Sequence, residues 1–291
     1  MKLNARCMQC MVDAQAALLS EIEDENVKAD YFRKVLRTVA DCRPDSTAPV
    51  MVRELERLYE EHFGPLPEYS GIKREYNRLM LELEPEIFRK IRQAPDSLEM
   101  ALAYSRAGNY IDFASQHEVN KKELLELLDR AAGDRIQPET YQCFLEELSR
   151  SRRLVFLLDN CGEIVLDKLV LEQLGRRFPE LRLTAFVRGC PVSNDVTMED
   201  AEQVGLFEVA EVVSNGSDVA GTDLRLISEE AAGLLKGADV ILSKGQGNFE
   251  SLNGCGLNVY YLFLIKCDWF QRLFGRPRHT GMFVREKELL T

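Results

Sequence analysis

The chain has 291 residues, 45% hydrophobic and 29% charged, a composition that excludes a disordered protein and leaves room for a substantial core. With 48 acidic against 37 basic residues the net charge is −11, which argues against nucleic acid or an anionic membrane as partner, because both need a basic face. No apolar run approaches the roughly 20 residues that span a bilayer, and the opening MKLNARCMQCMVDAQ carries no apolar export core, so a cytoplasmic protein with reduced thiols is expected.

The first half of the chain reads as helices. Cys7 and Cys10 form a C-x-x-C with Cys42 as the candidate third thiol, but no second pair completes a closed zinc site. Thiols buried on a helix face are the expected reading. Val52, Leu55, Leu58, Tyr59 and His62 keep helical spacing, as do Tyr76, Leu79, Met80, Leu83, Ile87, Phe88 and Ile91. Further helices are expected at 98–105, 122–132 and 141–148, with Pro49, Pro65, Pro67 and Pro138 between segments as breakers. Gly108 and Asn109, in the run GNYID that ends at Asp112, form an ordinary helix stop. His62, His117 and His279 lie far apart in polar sequence, so no multi-histidine metal site is expected.

After Arg153 strand and helix alternate. Strands are expected at 154–158, 181–187, 209–213, 239–242 and 259–265, and helices at 164–178, 199–205 and 228–235. Strands spaced by such helices imply a mainly parallel sheet covered on both faces. The expected architecture is α/β: a helical N-terminal domain (1–150) packed on a Rossmann-like α/β/α C-terminal domain (151–291).

Two strands of this second half end in oxygen-bearing side chains. LVFLLDN at 154–160 stops at Asp159 and Asn160 before Cys161-Gly162-Glu163, and the strand at 181–187 is followed by Arg188-Gly189 and then Ser193-Asn194-Asp195. Ligands of doubly wound sheets bind at the carboxyl ends of strands. Two carboxylates and an amide oxygen there suit a hard divalent ion such as magnesium or manganese. Asp also caps helices, and spacing alone leaves both uses open. KGQGNFE at 244–250 follows another strand; its two glycines let backbone amides approach an anion, and Lys244 adds charge. The G-x-G-x-x-G dinucleotide fingerprint is absent. Lys266 ends the last strand-like run, as Arg188 ends the second.

In order, the C-x-x-C, the GNxxD at 108–112, LLDNCGE at 157–163, RGCPVSNDVTMEDA at 188–201, KGQGNFESL at 244–252 and Lys266 resemble the metal-dependent damage-control phosphatase family, formerly domain of unknown function 89. The resemblance covers nearly the whole chain, and the C-x-x-C points to a subfamily found mainly in archaea and bacteria. It implies a helical domain beside an α/β domain, and a divalent cation (manganese, magnesium, cobalt or nickel) held by Asp159, Asn160 and Asp195. It further implies a small phosphorylated metabolite as substrate, a sugar phosphate or phosphopantetheine-like monoester. Asn109, Lys244, Gly245, Gly247, Asn248, Glu250 and Lys266 are then the expected substrate contacts, with Lys266 and Arg188 as catalytic cations. Arg188 stands where many relatives carry lysine. Two other classes share parts of this pattern. A haloacid-dehalogenase-like phosphatase would use Asp159 as nucleophile, but needs a second Asp where Cys161 stands. A non-catalytic metabolite-binding protein would instead cycle Cys7 and Cys10 with a disulfide.

Overall fold

The computed structural model describes residues 1–20, 22–111, 120–131, 133 and 135–289; Asp112 and His117 lie outside them. Helices come first: α1 (Ala5–Leu18), α2 (Glu25–Ala40), α3 (Ala48–Phe63), α4 (Ser70–Gln93), α5 (Ser97–Gly108), α6 (Lys121–Ala131) and α7 (Pro138–Leu148). Asn4, Asp24 and Asp96 start α1, α2 and α5 by accepting hydrogen bonds from first-turn amides. Pro49 and Pro138 fall inside the first turns of α3 and α7 rather than between helices. Their missing N–H groups have no intrahelical partner there in any case. Among the described residues, no helix is long and apolar enough to cross a membrane.

From Arg153 the order is β1 (Arg153–Leu157), α8 (Glu163–Arg177), β2 (Arg182–Val187), α9 (Met198–Gln203), β3 (Glu211–Ser214), α10 (Glu229–Lys236), β4 (Val240–Lys244), α11 (Gly245–Leu252), β5 (Val259–Leu264), α12 (Asp268–Phe274), β6 (Gly281–Arg285) and α13 (Glu286–Leu289). The sheet runs β3-β2-β1-β4-β5-β6, with every pair parallel except β5 with β6. Strand order therefore reverses between β1 and β4, the switch point where doubly wound sheets open a crevice. The antiparallel edge strand β6 was not expected. Its apolar content is only Met282, Phe283 and Val284, too short a run to declare itself. The glycine-rich segment expected as a loop is instead the first turn of α11.

Alternation along β1 sends Leu154 and Phe156 into one core with α4, α5, α7 and α8, while Val155 and Leu157 join a second core with α10, α11 and α12. Both sheet faces are covered, as strands without polar alternation require. The first of these cores runs without a break across residue 150, because helices α4 to α7 supply one of the layers on the sheet. A third cluster, around Tyr31, Val35, Met51 and Leu55, holds α1, α2 and α3 together.

Cys7 and Cys10 do not share the buried face expected of them. Cys7 is half-buried and Cys10 exposed, because α1 turns Met11 and Gln15 inward instead.

Candidate functional site

Backbone pairing brings the two acidic loops together. Asn160 and Asp195 form an isolated antiparallel bridge, with Cys161 N donating to Asn194 O at 2.9 Å and Val196 N to Asp159 O at 2.9 Å. The bend between Asp159 and α8 depends on Gly162, whose φ is +70° and where a Cβ would sit 2.9 Å from Ile111. From the helical side, Asn77 Oδ1 accepts the Gly162 N–H at 2.6 Å. Ser193, two residues before Asp195, has a φ of 44°, an uncommon backbone for a residue with a side chain and a frequent companion of binding sites.

Asp159, Asn160 and Asp195 thus meet at one buried point. Asn109 Nδ2 donates to Asp159 Oδ2 at 3.1 Å and to Glu163 Oε2 at 2.8 Å. Asn160 Nδ2 donates to the same two oxygens at 2.7 and 3.3 Å, and Asn160 Oδ1 accepts from Asn194 at 3.0 Å. Arg188 Nε donates to Asp195 Oδ2 at 2.6 Å, and its Nη2 lies 3.6 Å from Asp159 Oδ1, so one guanidinium spans both acids. Burial raises the Asp159 carboxyl well above the usual range, Asp195 and Glu163 raise it further, and Lys266 and Arg188 pull it back.

Mutually repelling buried carboxylates fit a divalent cation. Among the described residues no three His, Cys, Asp or Glu side chains form a group that could hold a metal ion, and the oxygens gathered at this point are those of the Asp159 and Asp195 carboxylates and the Asn160 amide. Arg188 also fits a second, anionic guest: beyond the ion pair of Nη2 with Asp159, its Nη1 and Nη2 are fully buried and have no hydrogen-bond partner among the described residues.

Gly245 begins α11 against this cluster. A Cβ there would lie 1.9 Å from Asp159 Oδ2, and its φ is +78°, so glycine alone lets the helix N-terminus approach the acid so closely. Lys266 is buried at the same rim, its charge acting on Asp159 and its N–H donating to Gln246 Oε1 at 2.6 Å.

Other expected substrate contacts are committed elsewhere. Lys244 Nζ is buried beneath the site, 2.8 Å from both Asp167 Oδ1 and Glu163 Oε1 (the latter an ion pair without hydrogen-bond alignment) and bonded to Ser105 O at 3.0 Å. Asn248 spends its amide on Leu158 O, Lys244 O and the Thr222 hydroxyl. Asn109 does reach the cluster, where its Oδ1 accepts from Leu264 N at 3.1 Å and its Nδ2 donates to the two acids. At Gly247 a Cβ would lie 2.3 Å from Ala220 O, which makes it a packing glycine. Glu250, half-buried, acts electrostatically on Cys7 and Cys10, and burial pushes its own carboxyl up to about 7.

Glu163 and Asp167 were missed. They stand four apart in the otherwise apolar start of α8, a spacing that puts both on one helix face, and both are fully buried. Glu56 of α3 was also unforeseen; its carboxyl is raised by burial and lies near enough to Asp195 to feel its charge.

A doubly wound α/β protein with a hard-oxygen cluster at its switch point, roofed by helices, is the class defined by this fold and site. The chain belongs to the damage-control phosphatase ARMT1-like domain family, whose profile matches residues 3–280. It is 26% identical over 293 residues to a damage-control phosphatase of Pyrococcus horikoshii, covering 99% of each chain. It is 29% identical over 282 residues to a damage-control phosphatase of Archaeoglobus fulgidus, covering 94% of this chain and 96% of that one. A crystal structure of a DUF89 family protein from Pyrococcus horikoshii shares the fold, with a TM-score of 0.76 at 24% identity over 98% of this chain and 99% of that one.

Proposed function

We propose that the protein is a divalent-metal-dependent phosphatase that hydrolyses small phosphorylated metabolites, sugar phosphates or phosphopantetheine-like monoesters, in metabolite damage control. The observation that carries this reading is the convergence of Asp159, Asn160 and Asp195 beneath the buried Arg188 guanidinium, whose two terminal nitrogens have no hydrogen-bond partner among the described residues. Asp159, Asn160 and Asp195 would hold the cation, which when bound supplies Lewis acidity toward a phosphoryl oxygen and lowers the pKa of a water. The chain's own groups do the rest. Arg188 and Lys266 neutralise charge on the phosphoryl oxygens as it is transferred. The N-terminus of α11 adds its partial positive charge. Glu163 and Asn109 fix the Asn160 amide and the Asp159 carboxylate.

A haloacid-dehalogenase-like course has no support at Cys161, a buried thiol whose pKa burial pushes far up. The deciding experiment is phosphate release from a panel of phosphorylated metabolites with magnesium, manganese, cobalt or nickel in turn. Metal-stimulated release with no trapped phosphoenzyme is expected. Release that ignores the metal, or none from any member of the panel, would reject the reading.

A further inference from the structure

Both acidic loops are gripped from the helical side by polar residues of α4. Lys73 and Asn77 stand four apart there, so they share a helix face, and both are buried. Asn77 commits its amide at both ends. Its Oδ1 accepts the Gly162 N–H at 2.6 Å, while its Nδ2 donates to Asp200 Oδ1 at 3.0 Å and to Gln203 Oε1 at 2.9 Å. Gly162 lies two residues past Asn160, in the turn between β1 and α8, and Asp200 lies five past Asp195, in the first turn of α9. One amide therefore bridges the two loops whose oxygens meet at the acidic cluster.

Asp200 carries the load onward. Its Oδ2 accepts from Thr197 N at 2.8 Å and from Thr197 Oγ1 at 2.9 Å, and lies 2.6 Å from Lys73 Nζ. This ties the residues that follow Asp195 to α4. The need of a buried lysine for a counter-charge accounts for Lys73 and Asp200 by itself. It does not account for the Asn77 carbonyl oxygen, which is spent on Gly162, 85 residues away, rather than within α4 or on α9. The pairing of Asn160 with Asp195 holds the loops edge to edge; Asn77 holds both against a third element.

We infer that Asn77, backed by Asp200 and Lys73, is a positioning residue for the metal centre, setting the loop of Asp159 and Asn160 against the loop of Asp195. The inference rests on the metal site proposed above. Groups that orient a ligand set govern its affinity without touching the ion. The test is manganese titration of the full chain, read from the paramagnetic resonance of the free ion, beside thermal unfolding without metal. Asn77→Ala should weaken manganese binding roughly tenfold. Met80→Ala is the control: Met80 is a fully buried apolar residue of the same helix. The cavity it leaves should lower the melting temperature with manganese affinity unchanged. Asn77→Asp has the same shape and keeps an acceptor for Gly162, but it sets a second carboxylate against Asp200. It should weaken binding as well, and it stands in if the alanine variant does not fold. Wild-type affinity in the Asn77 variants, or a loss no larger than that of Met80→Ala, overturns the positioning role and leaves the metal site standing. A wild-type chain that takes up no manganese overturns both.

Discussion

At Asp159 three demands meet: the proposed cation would need the charge, burial opposes it, and α11 comes within van der Waals reach of it. Asp159→Ala and Asp195→Ala should each abolish divalent-metal binding and phosphatase activity while the chain stays folded, since one carboxylate is too little charge for a hard-cation site. Titration with manganese and circular dichroism check this, and full metal-dependent turnover in either variant would place the site elsewhere. Gly245→Ala drives a methyl group onto the Asp159 carboxylate at a positive φ. It should cost about 1–3 kcal/mol and weaken metal affinity with it; an unchanged melting temperature and affinity would show that α11 does not abut the acid. Lys266→Ala should lower turnover on the order of 100-fold with metal affinity nearly constant, because its charge matters most when the phosphoryl group is in transit. Lys266→Arg should recover only part, a planar fork being no copy of an ammonium. Equal kinetics in wild type and Lys266→Ala would remove this residue from the mechanism.

Among the elements, α3 has the clearest functional task. Its Arg53 and Arg57 both reach Asp218, at 2.8 and 2.7 Å, tying the helix to the loop that follows β3. At Gly247 a Cβ would also stand 3.9 Å from Pro49, so α3 lies against α11. These ion pairs are partly exposed, and such pairs contribute about 0–1 kcal/mol each. Asp218→Ala should therefore leave the melting temperature close to wild type, yet raise KM for the best panel substrate with kcat little changed, because the cleft loses a tie on its roof. A fall in kcat with KM constant would contradict that role for α3.

The molecule as a whole carries an ionic layer beneath the site that should register in its pH dependence. Burial pushes the Asp167 carboxyl up to about 7, with Lys244 pulling it down and Glu163 raising it. An unfolded Asp titrates near about 4. Between these values the folded chain keeps a proton that the unfolded chain releases, so this contribution is complete below about pH 4 and is lost as pH rises through about 7. Asp167→Asn removes it. Urea unfolding at pH 5 and pH 8 should show wild type losing more stability over the interval than the variant, and parallel losses would mean that Asp167 is not the group.

Much of this was legible from local pattern. The apolar runs declared five of the strands, the change at Arg153 marked where α/β alternation starts, and the residues after β1 and β2 gave the oxygens that meet. These readings succeed because side-chain period and breakers act over a few residues. What only the tertiary structure decided is which polar side chains face the cleft and which are spent inside. Lys244 ends β4 and Lys266 follows β5, yet one is locked to Glu163 and Asp167 while the other acts on Asp159. Asn109 looked like a helix stop, and its meaning lies in Asp159, 50 residues on, and Leu264, 155 residues on. The sequence by itself determined the layers and the acidic rim, through interactions between near neighbours. The roles within that rim came from the fold, because a buried donor or acceptor is defined by its partner, and here those partners are brought together only by packing α5 and α8 against the sheet.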